Sequence, residues 1–388
     1  MKYSLSSDTW GQEELDAIQE VIASNRFTMG PKTKQFEEEF AEWAGSKHAI
    51  MVNSGSSANL LMIGALVVSG RLKRGDEVIV PAVSWSTSYF PLQQYGLRVR
   101  FVDISLSTLN YDTNKLADAV THNTKAILAV NLLGNPNEFQ KIQKICNEND
   151  LILLEDNCES MGAEHRFKKT GTIGLMGTFS SFFSHHISTM EGGMIVTDDT
   201  DLYHYLLPLR AHGWTRDLPE ETSFYTKKDD PFYESFNFVL PGYTVRPTEI
   251  QAAIGIEQLK KLDGLVEQRR KNAIYFKELF GAKHNNPFII QLEEEKSSWF
   301  GFSLVCKNEG DRDKYIRLLR EADIEARPIV AGNFTRNEVI KYFDYSIHDI
   351  LEAADYVHDN GFFVGNHGED MTTQLDYLKQ VLYQEKEL

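Results

Sequence analysis

Seven short apolar runs, separated by spacers of helix length, constrain the fold of this 388-residue chain more than any other feature. They occupy residues 48–53, 76–82, 98–104, 125–134, 151–157, 175–183 and 192–199. Apolar runs of this length, alternating with helical patterns, are typical of a mostly parallel β-sheet that helices bury on both faces. The sequence therefore predicts an α/β fold built on a seven-stranded, mostly parallel sheet flanked by helices.

The second half of the chain has a different pattern and predicts a smaller domain. Residues 215–236 are polar, contain two prolines and indicate a long surface excursion. The segments that follow mix helices with strand candidates such as residues 298–306. We therefore expect a large α/β domain over residues 1–245 and a smaller C-terminal α+β domain over residues 246–388.

Charge and cysteine content limit the partners and the compartment. The net charge of −16 argues against nucleic acid and anionic membranes, because the field of the protein would repel both, although arginines lining a cleft would still admit an anionic small substrate. Three widely spaced cysteines, Cys146, Cys158 and Cys306, indicate a reducing compartment without a disulfide framework. No stretch has the apolar length of a signal peptide or a membrane span. We expect a soluble, cytoplasmic protein.

Three polar stretches follow predicted strands and suggest a binding site. In "NSGSSANLL", Gly55 permits a tight turn and Ser56 is a good helix N-cap, which would direct free N–H groups at an anion. Asp156 ends the strand in "LLEDNCESMGA", where ligands bind in open α/β sheets. Trp85, in "PAVSWSTSYF", can lie flat against a planar molecule. Each residue alone also has a structural explanation, as a turn, a capping aspartate or a core tryptophan. Together, the three stretches lie at the ends of successive predicted strands. In chain order they predict a phosphate cradle, an aromatic face and a carboxylate.

This combination resembles the sugar-aminotransferase family of pyridoxal-phosphate enzymes, which has the aspartate aminotransferase fold (fold type I). The resemblance runs from "FTMGPKTKQFEEEFAEWAGSKHAIMVNSGSSANL" to "GYTVRPTEIQAAIGIEQL". In that family a lysine six residues before the glutamate of "EGG" binds the cofactor covalently. Counting back from Glu191, that position is His185 in "SHHISTMEGG". The next residue, His186, is expected to pack or to hydrogen-bond locally.

The replacement of lysine by histidine changes the chemistry that the resemblance implies. Lysine tethers the cofactor, carries a proton and displaces the product. Imidazole can carry a proton but cannot form the covalent link, so we expect a non-covalently held cofactor, pyridoxamine phosphate. His185 in its neutral form can accept a proton and, once protonated, can assist the departure of a hydroxyl. The expected outcome is loss of a hydroxyl group rather than amination.

The pattern resembles in particular the sugar 3-dehydratases of colitose biosynthesis. The stretches that carry this resemblance are "PAVSWSTSYFPLQQYGLRV", "LLEDNCESMGA", "SHHISTMEGG" and "LRAHGWTR". It implies pyridoxal 5'-phosphate and pyridoxamine 5'-phosphate as the cofactor and L-glutamate, converted to 2-oxoglutarate, as the amino donor. It also implies GDP-4-keto-6-deoxy-D-mannose as the substrate, with guanine resting on the resemblance alone. Related CDP-sugar dehydratases carry a [2Fe–2S] cluster, which needs four thiolate ligands. The three scattered cysteines of this chain cannot supply them, so we expect no such cluster.

The resemblance also assigns roles to individual residues. For the cofactor it assigns the phosphate to Gly55, Ser56 and Ser180, the ring face to Trp85, the ring nitrogen to Asp156 and the ring substituents to Glu159. Thr244 stands where the family carries an asparagine that reaches the phosphate of the partner subunit, which implies a homodimer with a shared active site. For the substrate it nominates Ser184, His212, Arg216, Glu325 and Arg327, the two arginines for the diphosphate and Glu325 for the sugar. For Ser184 and the arginines, a structural serine and solvated surface side chains are the alternatives.

Three other interpretations account for parts of the sequence. The first is an ordinary nucleotide-sugar aminotransferase whose lysine lies elsewhere, with Lys168 and Lys169 as the nearest candidates; both precede the strand and fall in a turn. The second is a non-catalytic binding protein of the same fold, although Asp156, Trp85 and the phosphate cradle all remain. A metal site at the adjacent histidines is disfavoured, because neighbouring side chains project in different directions and no partner completes a ligand set.

Overall fold

The structure, a computed structural model, describes residues 2–281 and 286–383. Its helices are α1 (Gln12–Ser24), α2 (Pro31–Ala44), α3 (Gly55–Val68), α4 (Ser86–Gln94), α5 (Thr113–Asp118), α6 (Phe139–Asn149), α7 (Thr200–Arg210), α8 (Pro231–Glu234), α9 (Glu249–Phe280), α10 (Arg312–Glu321), α11 (Glu352–Asn360) and α12 (Thr372–Tyr383). Its strands are β1 (His48–Val52), β2 (Glu77–Pro81), β3 (Arg98–Val102), β4 (Thr124–Val130), β5 (Ile152–Asp156), β6 (Glu164–His165), β7 (Lys168–Lys169), β8 (Met176–Ser180), β9 (Gly193–Thr197), β10 (Phe288–Ile290), β11 (Gly301–Cys306), β12 (Ala326–Arg327), β13 (Tyr345–Ile347) and β14 (Gly361–Gly365). Short 3₁₀ turns lie at Leu132–Gly134, Phe334–Arg336 and Glu338–Tyr342.

The main sheet has the strand order β1-β9-β8-β5-β4-β2-β3-β13. All neighbouring pairs are parallel except those of β9, which runs antiparallel to both β8 and β1. Each of the seven predicted runs supplies one strand of this sheet, which confirms the mostly parallel architecture. The eighth strand, β13, comes from the C-terminal part of the chain and pairs with β3 at the sheet edge.

Helices cover both faces of the main sheet, which explains why its strands lack a polar side. Strands β2, β8 and β9 are buried at every position, as expected when helices cover both faces. Helix α3 is apolar on nearly all sides because it lies between the sheet and the outer helices α4 and α7. Its residues Leu61, Met62 and Leu66 belong to the same core as Val80 and Phe101 of the strands. The N-terminus of α3 is thereby fixed at one edge of the sheet.

The 32-residue helix α9 connects the two halves of the molecule. A capping box of Thr248 and Gln251 starts it, and the buried carboxylate of Glu249 accepts hydrogen bonds from Gly30 N at 2.7 Å and Thr33 N at 2.9 Å. Its first half packs on α1 and α2, and its end packs on α12. Helix α9 therefore reaches from the main sheet to the smaller one.

The smaller sheet has the order β10-β11-β14-β12 and is antiparallel throughout. Phe276 of α9 stacks on Phe302 of β11 with ring centroids 4.3 Å apart, within a second apolar core. Tyr3 joins this core from the N-terminus, and its hydroxyl donates to Gly365 O at 2.6 Å. Because Tyr3 packs in this core and β13 pairs in the main sheet, each half of the molecule includes a short segment from the other side of residue 245. The division at that residue stays a prediction.

The polar segment 215–236 forms turns around the short helix α8. Glu234 organises these turns by accepting hydrogen bonds from the Thr215 hydroxyl at 2.9 Å, the Tyr225 hydroxyl at 2.5 Å and Lys228 N at 3.0 Å. The side chain of Phe232 is 89% exposed within it. Among the helices described, none is both long and apolar enough to cross a membrane.

Candidate active site

A cavity of about 480 Å³ opens where the carboxyl ends of β2, β4, β5 and β8 meet. Parallel strands place their carboxyl ends at one edge of a sheet, which is where ligands bind in open α/β folds. Phe300, Pro328 and Phe363 close the cavity from the side of the smaller sheet. The predicted site residues that line it are Gly55, Ser56, Trp85, Asp156, Glu159, Ser180, Ser184, His185 and Arg327.

The N-terminus of α3 forms one end of the cavity. The N-cap is Ser54, whose Oγ accepts a hydrogen bond from Ser57 N at 3.1 Å, so the prediction that Ser56 caps this helix was wrong. Ser54 has the extended backbone that a cap requires, whereas Ser56 lies within the first turn and contacts Thr87. A Cβ on Gly55 would lie 2.7 Å from Ser180 Cβ, so only glycine allows this close approach. The first N–H groups of the helix remain available to an anion.

Asp156 lies at the base of the cavity, held in one orientation by three donors. Its Oδ2 accepts from the Ser88 hydroxyl at 2.6 Å and from the Asn59 amide at 2.8 Å, and its Oδ1 accepts from Cys158 N at 3.2 Å. Asn59 is oriented in turn by the Thr178 hydroxyl, which donates to its Oδ1 at 2.6 Å. The result is a buried carboxylate that can accept a hydrogen bond from a protonated ring nitrogen.

Trp85 and Glu159 lie on other walls of the cavity. Trp85 precedes the first residue of α4, and its side chain is 58% exposed, which is unusual for a tryptophan and leaves its surface open to a ligand. Glu159 Oε2 accepts a hydrogen bond from Leu133 N at 2.9 Å. Burial, together with the nearby charge of Asp156, raises the pKa of Glu159 to about 7, although the bond from Leu133 opposes the shift. Near neutral pH, the Glu159 carboxyl can therefore either donate or accept a proton.

His185 lies in the loop between β8 and β9. The loop is closed by main-chain hydrogen bonds from Ser181 N to Gly192 O and from Phe183 N to Met190 O, each 3.0 Å long. His185 lines the cavity, and the buried Nδ1 of its ring has no hydrogen-bond partner among the described residues. Burial and the positive charge of Arg269 lower the pKa of His185 to about 4. The imidazole is therefore neutral at pH 7 and can act as a base.

The other candidates near this loop do not line the cavity. His186 is fully buried, and its Nε2 hydrogen-bonds Ser298 O at 3.2 Å, as expected for local packing. Lys168 and Lys169 form the short strand β7, with the ammonium of Lys169 over the Trp43 ring. Within the described chain, no lysine lines the cavity, and no three histidine, cysteine or acidic side chains group as metal ligands.

The structure does not bring four predicted residues into the cavity of the same chain. The Thr244 hydroxyl lies 2.7 Å from His212 Nε2, and both side chains stay outside. The guanidinium of Arg216 stacks on the Trp214 ring at 4.1 Å and donates to a main-chain carbonyl at 2.8 Å, so it points away. Glu325 accepts from Leu5 N at 3.1 Å and lines a separate cavity of about 380 Å³. Thr244 was expected to act on a partner subunit, and the four assignments stay predictions.

Sequence reasoning missed several residues of the site. Asn59 and Ser88 hold Asp156, and Phe182 and Phe300 pack on the His185 ring. A polar residue one turn after Gly55 in an otherwise apolar helix was a usable signal for Asn59. No comparable signal marked Phe300, because it reaches the cavity from a distant segment.

Comparison with known proteins identifies the family. The family model described as the DegT/DnrJ/EryC1/StrS aminotransferase family matches residues 8–372. The chain belongs to this family. Members similar to the chain include a protein of Yersinia pseudotuberculosis named GDP-4-keto-6-deoxy-D-mannose 3-dehydratase, which is 59% identical over 98% of both chains. An Escherichia coli protein of the same name is 57% identical over 98% of this chain and all of its own length.

Solved structures similar to this chain agree with the predicted fold. A crystal structure of GDP-4-keto-6-deoxymannose-3-dehydratase with a trapped PLP-glutamate geminal diamine superposes with a TM-score of 0.96, at 57% identity over 98% of this chain and 100% of that one. The Helicobacter pylori aminotransferase PseC, at 24% identity over the full length of both chains, has a TM-score of 0.86 and shows the shared fold alone. The prediction of the fold type I architecture is confirmed.

Proposed function

We propose that this chain is a pyridoxal/pyridoxamine 5'-phosphate-dependent dehydratase that converts GDP-4-keto-6-deoxy-D-mannose to GDP-4-keto-3,6-dideoxy-D-mannose. L-Glutamate supplies the amino group, and ammonia is released. One observation carries the proposal: His185 lines the cavity at the position of the family's lysine, and no lysine of the described chain lines it. The 59% and 57% identity to two proteins named GDP-4-keto-6-deoxy-D-mannose 3-dehydratase supports the choice of substrate.

The cavity has the donor and acceptor groups that pyridoxal phosphate requires. The α3 N-terminus suits a phosphate, since Gly55 leaves room where a Cβ would meet Ser180. The buried carboxylate of Asp156 suits a protonated ring nitrogen, and the exposed surface of Trp85 suits the ring face. These residues would hold the cofactor without a covalent bond.

When bound, pyridoxamine phosphate would supply an amine that reacts with the sugar ketone and a ring that accepts electrons. Asp156 would accept a hydrogen bond from the protonated ring nitrogen, and Glu159 would hydrogen-bond a ring substituent. Phe300 lines the same cavity beside His185, from the side of the smaller sheet. The chain thus supplies orientation and one group that moves protons.

That group is His185. With the cofactor bound, its neutral Nε2 would take the proton lost from the cofactor's aminomethyl carbon, and the resulting imidazolium would give this proton to the departing C3 hydroxyl, which leaves as water. The same residue therefore acts first as a base and then as an acid.

Ser184 is proposed to hold the sugar beside His185. It lines the cavity and immediately precedes the histidine. One solved structure of a 57% identical protein, with a TM-score of 0.94, carries asparagine and lysine in place of a consecutive serine and histidine. The same consecutive pair in this chain supports a joint role for both side chains.

The active unit is proposed to be a cytoplasmic homodimer. Thr244 is exposed and lies outside the cavity of its own chain, which suits a residue that reaches the cofactor phosphate of a second copy. His212 and Arg216 are proposed to contact substrate from the same side. The free thiols of Cys146, Cys158 and Cys306 support a reducing compartment.

A borohydride experiment distinguishes this dehydratase from an aminotransferase with a covalently bound cofactor. The protein is mixed with pyridoxal phosphate, reduced with borohydride, and weighed by intact-protein mass spectrometry. Peptide mapping then locates each reduced link, because exposed lysines also react with the aldehyde. We expect no link at a residue of the cavity in the wild type, because imidazole forms no reducible link, and a link at position 185 in His185→Lys. A wild-type link at a lysine, formed in proportion to bound cofactor and lost when the cavity is blocked by pyridoxamine phosphate, would overturn the proposal.

A further inference from the structure

Arg269, in the middle of α9, carries a buried charge that no carboxylate of the described residues neutralises. It is 3% exposed, burial alone lowers the pKa of its guanidinium to about 10, and no aspartate or glutamate of residues 2–281 and 286–383 forms an ion pair with it. Burying a cation without a counter-ion is costly. The groups that do contact this guanidinium therefore indicate what it does.

The guanidinium donates to three main-chain carbonyls from three separate segments. Nη1 donates to Phe300 O at 3.1 Å and to Asn366 O, and Nη2 approaches His185 O at 3.5 Å. Asn366 donates back to Arg269 O at 3.1 Å and to Trp299 O at 2.8 Å. Arg269 thus ties the His185 loop to the segments that precede β11 and follow β14.

Two of these contacts control the position of one imidazole ring. Arg269 holds the carbonyl of His185 and also that of Phe300, whose ring packs against the His185 ring at 5.1 Å. The other ionisable groups around His185 are His186 in the chain and, on the cavity wall, Asp156, Cys158, Glu159, Glu191 and Arg327. After burial itself, Arg269 is the group that lowers the pKa of His185.

We propose that Arg269 is a positioning residue for His185: it fixes the loop through main-chain carbonyls, and its uncompensated charge disfavours a second positive charge on the imidazole. The inference rests on the proposed function, in which His185 is the base. Arg269 keeps that base neutral and aimed into the cavity. Removing the positive charge makes protonation of the ring easier, so His185 then titrates at a higher pH.

Three variants separate charge from hydrogen bonding. Arg269→Gln is neutral but can still donate to a carbonyl. Arg269→Lys keeps the charge but lacks the planar guanidinium that donates to several carbonyls at once. Arg270→Gln is the matched control, because Arg270 is the next residue on the same helix and donates to Ser297 O at 2.9 Å and Gly162 O at 2.8 Å. All three are prepared with pyridoxamine phosphate bound.

The titration of His185 is measured by NMR of histidine-labelled protein, with its signal identified by its loss in His185→Asn. In Arg269→Gln we expect this titration and the acid limb of the turnover profile to move together to higher pH, while Arg269→Lys and Arg270→Gln match the wild type. An unmoved titration in Arg269→Gln, or an equal shift in Arg270→Gln, would overturn the inference.

If Arg269→Gln does not fold by circular dichroism, Arg269→Lys decides alone. An unchanged His185 titration supports the role of the charge, and a shift to the ordinary histidine range in the folded lysine variant contradicts it. The NMR result does not depend on which reaction the enzyme performs. A failure of the dehydratase proposal would appear in the products, whereas a failure of this inference would appear in the titration.

Discussion

The ring of His185 lies against the ring of Phe300, with centroids 5.1 Å apart and ring planes at 63°. This contact joins the loop after β8 to the segment that precedes β11, so the two sheets meet at the proton-carrying residue. A second ring, Phe182, packs on His185 at 5.9 Å. Since no partner among the described residues hydrogen-bonds Nδ1, packing against these two rings holds the imidazole.

Removal of Phe300 is expected to misplace the imidazole. We predict that Phe300→Ala lowers kcat by about tenfold to a hundredfold, because small displacements of a reacting group are costly. Cofactor binding depends on Gly55, Trp85 and Asp156 and is expected to change little. Steady-state kinetics and a pyridoxal phosphate titration measure the two effects. An unchanged kcat in the folded variant would show that this contact does not position His185.

The raised pKa of Glu159 predicts a pH-dependent change in stability. Its folded-state pKa of about 7 exceeds the ordinary value of 4.5, so the protonated form favours folding and this contribution is lost as pH rises from 4.5 through 7. We predict that Glu159→Gln raises the free energy of unfolding of the cofactor-free protein by about 1–3 kcal/mol at pH 8, relative to the wild type, and far less at pH 5.

Denaturant unfolding at both pH values checks the Glu159 prediction. The control is Glu338→Gln, since the Glu338 side chain is 98% exposed and its substitution is expected to have no such pH dependence. The same difference between Glu159→Gln and wild type at pH 5 and pH 8 would mean that Glu159 titrates normally.

The close packing at Gly55 predicts a loss of cofactor affinity. A Cβ there would lie 2.7 Å from Ser180 Cβ and 2.9 Å from Cys158 Sγ, so Gly55→Ala must push apart the phosphate end of the cavity. We expect pyridoxal phosphate affinity to fall roughly tenfold to a hundredfold, in line with overpacking costs of about 1–3 kcal/mol.

A matched variant makes the Gly55 result interpretable. Gly264 lies in α9, and a Cβ there would meet nothing within 4 Å, so Gly264→Ala is expected to bind the cofactor as the wild type does. Both affinities come from a fluorescence titration with pyridoxal phosphate. Wild-type affinity in Gly55→Ala would place the phosphate elsewhere.

Much of the fold could be predicted from the sequence because burial on both faces makes strands continuously apolar. In the main sheet the exception is β13, Tyr345–Ile347, an edge strand that is half exposed and carries no apolar run. Asp156 and Trp85 were predictable because Asp156 ends such a run and Trp85 follows one, and parallel strands bring their ends together. Local sequence and strand order are sufficient for residues of this kind.

The remaining residues of the site depend on packing between distant segments. Arg269 and Phe300 reach His185 from α9 and from the segment before β11, and nothing in their local sequence indicates it. Arg216 shows the reverse case, since stacking on Trp214 directs its guanidinium away from the cavity of its own chain. Packing between distant segments decides such orientations, and the periodicity of apolar residues in the sequence does not indicate them.

A shared active site predicts complementation between two inactive variants. His185→Asn removes the base, and Thr244→Asp is expected to repel the cofactor phosphate bound to the other subunit. Each mixed dimer then has one doubly altered site and one intact site. After unfolding and refolding a 1:1 mixture, we expect about a quarter of wild-type turnover, since about half of the dimers are mixed. No recovery from two variants that each refold would contradict a site built from both subunits.

The role of His185 in hydroxyl removal is tested most directly by identifying the product. Purified protein is incubated with pyridoxal phosphate, L-glutamate and GDP-4-keto-6-deoxy-D-mannose, and the sugar nucleotide is weighed by mass spectrometry while ammonia is assayed. We predict loss of one oxygen with ammonia release by the wild type, and a rate at least about 10²-fold lower in His185→Asn. A wild-type product that keeps the C3 hydroxyl and carries an amino group in place of the ketone would contradict the account. It would indicate an aminotransferase.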